Sequence, residues 1–421
     1  MQFSSFGEQF TGPCGTVQLM DDLGSAMAGD APVCMLGGGN PGRVPQIEAR
    51  CAELLARLAT DDNAIHRLFG SYAGPAGEQR FIAALAELLA SEYGWAISER
   101  NIALTNGSQN AFFYLFNLFG GRWPDGSEKK ILLPLAPEYI GYGDVFVAGR
   151  HFIANRPSIE MRGDGLFKYH VDFETLEVGD DIGAICVSRP TNPTGNVLSD
   201  AELAQLDRIA QSRGIPLIVD NAYGLPFPGL IFTGGTPLWH DNIVMCLSLS
   251  KFGLPGLRTG IVIAREEIID AISRLNAIVN LAPGSAGAAL TAPLVESGEI
   301  ISLGREVIRP FYQRKAEQAL GWLREALGDY PVHVHVPEGA LFLWLWFEGL
   351  PISSAELYRR LKARRVIIVP GEHFFPGLEG DDWRHKRECI RLTYSQDETS
   401  VREGIRIIAA EAIAAYDEAT G

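Results

Sequence analysis

Three stretches decide the fold: Ala184-Ile185-Cys186-Val187-Ser188, Ser199-Asp200-Ala201-Glu202, and Pro216-Leu217-Ile218-Val219-Asp220. The first and last are short continuous apolar runs, the pattern of strands buried on both faces. The middle one is a capping box, a serine N-cap answered by a glutamate three residues on, and it predicts a helix to about Arg213. Strand, helix, strand in this order is a crossover unit of a parallel sheet. The same pattern continues outward. Ile102-Ala103-Leu104-Thr105 reads as a strand ending at Asn106-Gly107, and a helix follows through Ala111, Phe112, Leu115, Phe116 and Phe119. Lys130 to Leu133, Ile243 to Leu249 and Gly260 to Ala264 read as further strands, and the last of the opening stretches reads as a strand over Ile215 to Val219. The expected architecture is an α/β layer with a mostly parallel sheet flanked by helices.

Past Glu299 the alternation stops. A long helix is expected from Leu303 to Leu327, then strands at Val332 to Val336 and Leu341 to Phe347. A helix from Ser354 to Arg364 precedes strands at Val366 to Val369 and Cys389 to Tyr394, and a helix from Glu398 to Tyr416 closes the pattern. This reads as a second, smaller α+β lobe beginning near residue 298.

Composition narrows the function. The chain has 421 residues, 47% hydrophobic and 21% charged, ordinary values for a globular protein. Its formal net charge of -15 opposes nucleic acids and anionic membrane surfaces. An anionic small ligand would need positive groups gathered locally. The start, Met1 to Glu8, shows no basic and apolar leader pattern. The apolar run Ala340 to Phe347 is far shorter than the ~20 residues of a spanning helix. Cys14, Cys34, Cys51, Cys186, Cys246 and Cys389 are dispersed without a Cys-x-x-Cys pair, which points to reduced thiols and a cytoplasmic location.

The chemistry gathers where strands end. Ligands of open α/β sheets bind at the carboxyl ends of strands, and Asp220 stands at such an end. A carboxylate there can face a cationic ring nitrogen and make the ring an electron sink. By itself it reads more readily as an ordinary turn or N-cap aspartate. Tyr223 and Asn192, the latter in Asn192-Pro193-Thr194-Gly195, can reach a phenolic oxygen on the same ring; singly, one reads as packing and the other as a turn. Lys251 follows the strand Ile243 to Leu249, among Ser248, Ser250 and Arg258. Burial and neighbouring positive charge lower an amine's pKa, as condensation with an aldehyde requires. Arg258 and Ser248 suit a phosphate, as does the helix start at Gly107-Ser108-Gln109. Capping or a solvated charge is the simpler reading of each alone.

Together they form a recognisable set. With Leu104-Thr-Asn-Gly-Ser-Gln109, Ala136-Pro-Glu-Tyr-Ile-Gly-Tyr142, Ser188-Arg-Pro-Thr-Asn-Pro-Thr-Gly195 and Ser248-Leu-Ser-Lys251, the chain resembles the fold type I pyridoxal-phosphate aminotransferases over nearly its whole length. The resemblance implies a seven-stranded, mostly parallel sheet, a large cofactor-binding domain over 45–298 and a small domain of 1–44 plus 299–421. It implies pyridoxal 5'-phosphate bound covalently by Lys251, which also shuttles the substrate proton. Asp220 would meet the ring nitrogen, Asn192 and Tyr223 the ring oxygen, and Tyr139 the ring face. Gly107, Ser108, Gln109, Ser248 and Arg258 would hold the phosphate, joined by Tyr72 from the neighbouring subunit of a homodimer. Arg391, with Asn192 and the loop at Gly38-Gly39, would bind the substrate carboxylate. The loop from Lys251 to Arg258 is one residue shorter than in many relatives. The implied reaction moves an amino group between valine, or a similar small aliphatic amino acid, and pyruvate. Rival readings are an aromatic or glutamate-specific aminotransferase, a lyase on the same scaffold, and a cofactor-sensing regulator module, which the acidic charge and an N-terminus without room for a DNA-binding segment argue against.

Two patterns are expected to be decoys. Gly37-Gly38-Gly39-Asn40-Pro41-Gly42 has dinucleotide-loop spacing, but Pro41 and Pro45 interrupt the helix that would have to follow. His333 and His335 share a strand face without a convincing third ligand, so no metal is expected. Trp344 and Trp346 read as core packing.

Overall fold

The computed structural model describes residues 2–12, 32–420 and the isolated positions 17, 21 and 24. Cys14 lies outside them. The central sheet runs in the order Ile102–Thr105, Gly260–Ile263, Ile243–Ser248, Leu217–Asp220, Ile182–Ser188 and Glu128–Leu133, with Phe152–Ala154 also paired to Glu128–Leu133. These are the seven strands of the expected sheet. The two-residue Gly121–Arg122 folds back antiparallel on Glu128–Leu133 and makes an eighth. Gly260–Ile263 runs antiparallel to both neighbours. The remaining long pairings are parallel.

The central strands are buried throughout because helices cover both faces, and their sequences are accordingly unbroken apolar runs. Ser199 caps Asp200–Ser212 with Glu202 reaching back, as the capping box predicts. In the parallel register Ser188 lies opposite Asp220, and Asp220 opposite Cys246. The carboxyl ends of adjacent strands are thereby brought level, and the segments that leave them share one crevice.

The second sheet has six strands, in the order Val369–Pro370, Cys389–Thr393, Phe342–Phe347, Val332–His335, Leu166–His170 and Ser158–Gly163. Its last two strands come from inside 45–298, the stretch expected to belong to the large domain. Val334 pairs with Leu166, so the hairpin extends the edge of the second sheet. Two expected elements are also divided. The helix of Leu303 to Leu327 opens with a π-helical turn, Gly304–Ile308, before Arg309–Leu327. Pro310, without an N–H, sits at the start of the regular helix. The strand Val366 to Val369 splits, because Val366–Ile367 pairs with Cys34–Met35 while Val369–Pro370 pairs with Cys389–Thr393. The first of these pairings carries the glycine loop at residue 37 toward the central crevice.

His335 is buried and its Nδ1 lies 2.8 Å from the Val336 carbonyl, whereas His333 Nε2 lies 2.9 Å from Glu348. Among the described residues no group of three or more His, Cys, Asp or Glu is placed to hold a metal, and no helix is long and apolar enough to cross a membrane. Trp344 is fully buried, and its indole N–H donates to Tyr169.

Candidate active site

A cavity of about 210 Å³ opens where the carboxyl ends of the central strands face the second sheet. Asp220 closes its floor. One carboxylate oxygen, Oδ2, accepts from the Tyr142 hydroxyl at 2.7 Å, and Oδ1 accepts from the Ala222 N–H at 2.9 Å. Burial pushes this carboxyl up to about 6, against the pull of those two bonds and of Lys251.

Lys251, half-buried, reaches in from the segment after Ile243–Ser248. Its Nζ donates to the Gly39 carbonyl at 2.6 Å and stands 5.2 Å from the centre of the Tyr223 ring. Burial, with the positive charges of Arg391 and Arg258, lowers this amine to about 8. A substantial neutral fraction near neutral pH is what a nucleophilic or proton-accepting amine needs.

The phosphate-suited groups cluster at one end. Ser108 and Gln109 open the helix Ser108–Phe119, and its N-cap is Gly107. Gly107 has φ +87°, and an added Cβ would lie 2.2 Å from Arg258 Nη2. Glycine is therefore required both by the backbone and by the approach of the guanidinium. Arg258 itself is left-handed, φ 47°, and donates to Ser250 Oγ at 3.4 Å and to the Pro255 carbonyl. The shorter loop still brings the guanidinium to the cavity wall. Ser248 is buried and its hydroxyl accepts from the Ser250 N–H.

The opposite end belongs to Arg391, in the strand Cys389–Thr393 and only 2% exposed. Its Nη1 donates to Asn192 Oδ1 at 2.7 Å and its Nη2 to the Gly37 carbonyl at 2.6 Å. The guanidinium lies over Phe342, 4.2 Å from the ring centre, and near Phe374 at 5.1 Å. Burial lowers it to about 10, still charged at neutral pH. Its Nε is buried without a partner, as is Gln109 Oε1. Buried polar atoms left unpaired are costly. Tyr139 lines the cavity and packs edge-on against Tyr142, and Tyr223 packs against Phe342. Burial raises both phenols, so each keeps its proton.

The structure thus brings Ser108, Gln109, Tyr139, Asn192, Asp220, Tyr223, Ser248, Lys251, Arg258, Arg391 and Gly39 to one cavity. Gly107 shapes it from behind. Gly38 is buried beside it in the glycine loop, whose carbonyls at Gly37 and Gly39 make the polar contacts. Tyr72 is elsewhere. It is 82% exposed and lines a separate hollow of about 290 Å³ with Arg67, Pro75 and Ser285. The sequence reading missed Tyr142 and Glu138. Both lie inside the stretch Ala136 to Tyr142, where nothing local marks either as more than a loop residue. Ser188 N–H donates to Glu138 Oε1 at 2.9 Å, Ser188 Oγ stands 2.5 Å from Glu138 Oε2, and Tyr142 Oη is 3.3 Å from Ser188 Oγ.

Three cations and one carboxylate around a small crevice, in a chain of net charge -15, suit a ligand carrying a phosphate, an aldehyde and a basic ring. The Gly107 cradle beside Arg258 fits the phosphate of such a group, and the unpaired Arg391 Nε leaves a donor for a carboxylate at the other end. The chain belongs to the class I and II aminotransferases, whose family model matches residues 48–408. The cofactor of that family is pyridoxal 5'-phosphate, and the fold is the fold type I arrangement. The chain is 48% identical over 418 residues to valine–pyruvate aminotransferase of Escherichia coli (strain K12), covering 99% of this chain and 100% of that one. The crystal structure of valine-pyruvate aminotransferase from Salmonella typhimurium LT2 superposes with a TM-score of 0.88 at 48% identity, covering 96% of this chain and 100% of that one. A Psychrobacter arcticum 273-4 crystal structure, 50% identical, reaches a TM-score of 0.97 with 99% of each chain covered.

Proposed function

We propose that this aminotransferase moves the amino group between valine, or a similar small aliphatic amino acid, and pyruvate, giving 3-methyl-2-oxobutanoate and alanine by a ping-pong route. The observation that carries this reading is 48% identity, end to end, with valine–pyruvate aminotransferase. The charges of the cavity agree with it. Lys251, Arg258 and Arg391 are its cations. With one for the aldehyde, one for the phosphate and one for the α-carboxylate, this chain leaves none for a second carboxylate on the substrate.

Ser108, Gln109, Ser248 and Arg258 would hold the cofactor phosphate, beside Gly107. Asn192 and Tyr223 would hold the ring oxygen, Tyr139 the ring face, and Asp220 a proton on the ring nitrogen. When bound, the cofactor supplies an aldehyde for the amino nitrogen and a ring that draws electrons from the substrate α-carbon. Arg391 grips the substrate carboxylate with the two parallel N–H donors of its fork, and this fixes which α-carbon bond faces Lys251. The neutral Lys251 amine then takes the α-proton and returns it at the other end of the transfer. Arg391 stands on the second sheet, so substrate binding draws that lobe inward and excludes water. We propose 45–298 as the cofactor-binding lobe and 1–44 plus 299–421 as the moving one, with the 158–170 hairpin travelling with the second sheet. The same reading makes the enzyme a cytoplasmic homodimer in which Tyr72 serves the partner's phosphate site.

Initial rates with purified enzyme test the substrate assignment. Valine with pyruvate is expected to exceed both glutamate with pyruvate and valine with 2-oxoglutarate by roughly 10²-fold or more, the cost of burying an unpaired side-chain carboxylate. The reverse order would overturn it.

A further inference from the structure

Glu138 is 1% exposed, and among the described residues its side chain has no cationic partner. The titratable groups facing it are Asp220, Tyr142 and Cys186. It touches neither the cavity nor any surface, so the arrangement of catalytic residues alone does not account for it.

The hydroxyl protons behind Asp220 do. Three oxygen–oxygen contacts stand in line: Glu138 Oε2 to Ser188 Oγ at 2.5 Å, Ser188 Oγ to Tyr142 Oη at 3.3 Å, and Tyr142 Oη to Asp220 Oδ2 at 2.7 Å. Each contact needs one proton. The Tyr142 proton goes to Asp220, which can only accept while ionised. The Ser188 proton then fills the contact to Tyr142. The contact between Glu138 and Ser188 is left to be filled by a carboxyl proton. The other Glu138 oxygen already accepts the Ser188 N–H.

We propose that Glu138 is a positioning residue, held as the neutral acid, that starts a head-to-tail run of O–H donors through Ser188 and Tyr142 and so orients Asp220 as a carboxylate toward the cavity. This rests on the role assigned above to Asp220 at the ring nitrogen. Two buried carboxylates so linked do not both ionise readily, and the proton goes to the one remote from the cations. Burial pushes the Glu138 carboxyl up to about 8, in keeping with that placement. An ionised Glu138 would instead take the Ser188 proton and leave Tyr142 and Ser188 facing each other without one.

Infrared difference spectra of the purified holoenzyme, parent minus Glu138→Gln, separate the two states. The expected difference is the carbonyl stretch of a protonated carboxylic acid; a carboxylate band in its place would overturn the proposal. Activity gives the second readout. Glu138→Leu removes the first donor and is expected to lower kcat by about tenfold or more and to speed cofactor loss on dialysis. Glu138→Gln, whose amide N–H can donate to Ser188, is expected to restore both to within about threefold of the parent. A Gln variant as poor as the Leu variant would also overturn the proposal. Melting temperatures of the two variants show whether loss of fold explains a fall in activity. The infrared band does not depend on substrate choice, so its absence would leave the valine–pyruvate assignment standing. A band without valine activity would remove only that assignment.

Discussion

The wall of the cavity that carries Asp220 and Lys251 and the wall that carries Arg391 meet across a few ångströms but are built in opposite ways. The first is made by successive strands of one sheet, each delivering a side chain at its carboxyl end. The second closes on contacts between distant parts of the chain. Arg391 bonds the Gly37 carbonyl across 354 residues and Asn192 across 199. A wall fixed by sheet register is rigid before any ligand arrives. A wall that joins two sheets through a few hydrogen bonds is the one that can move. Chemistry on the rigid side and substrate grip on the mobile side is the division this predicts.

The largest effect should come from the rigid wall. Lys251→Ala removes the amine proposed to move the α-proton, and turnover is expected to fall by roughly 10²–10⁴-fold or more while the fold persists. Borohydride reduction should trap the cofactor on Lys251 in the parent and on no residue in the variant. The amine must be neutral to capture an aldehyde, and its protonation falls away through about 8. With cofactor-free parent enzyme, the capture rate should therefore rise about tenfold per pH unit below that value and level off above it. A flat profile would mean that the amine is not the titrating group.

Arg391→Lys addresses the other wall and should cost less. The charge stays but the two-pronged fork is lost, so kcat/KM is expected to drop by roughly 10²-fold, mostly through KM. Cofactor retention on dialysis should change far less than kcat/KM, because no side chain of the rigid wall is replaced, although Asn192 loses its Arg391 partner. Loss of cofactor from this variant would break the separation of the two walls.

The same difference explains what could be read from the sequence. Asp220, Lys251 and Asn192 each follow an apolar run whose strand character is local, so their common placement at strand ends follows from pattern alone. The role of Arg391 came from resemblance, since nothing within Arg391 to Ser395 says what faces it across the cavity. The hairpin at 158–170 was likewise invisible as part of the second sheet, because strand pairing over such separation leaves no local mark. Tyr142 and Glu138 were hidden for a different reason. Their importance lies in hydroxyl contacts to Ser188 and Asp220 that only the fold assembles.

Two glycines, one in each wall, give the finest test. Gly107 has φ +87° and no room, since an added Cβ meets the Arg258 guanidinium at 2.2 Å. Gly107→Ala should strain the turn by about 1–3 kcal/mol, push Arg258 aside, and weaken cofactor retention by about tenfold or more. At Gly39 the nearest atoms to an added Cβ are Lys251 Nζ at 3.8 Å and Phe342 Cζ at 4.0 Å, ordinary contact distances. If the glycine loop kept this position through the reaction, Gly39→Ala would change kcat and KM by no more than about threefold. That is the smallest effect expected here, and it is the informative one. The Gly39 carbonyl accepts from Lys251 Nζ, so the loop must yield that bond whenever the amine turns to its chemistry. A fall in kcat well beyond threefold, with cofactor retention intact, would show that the loop swings through space the methyl occupies, and would place the moving boundary at Gly39 itself.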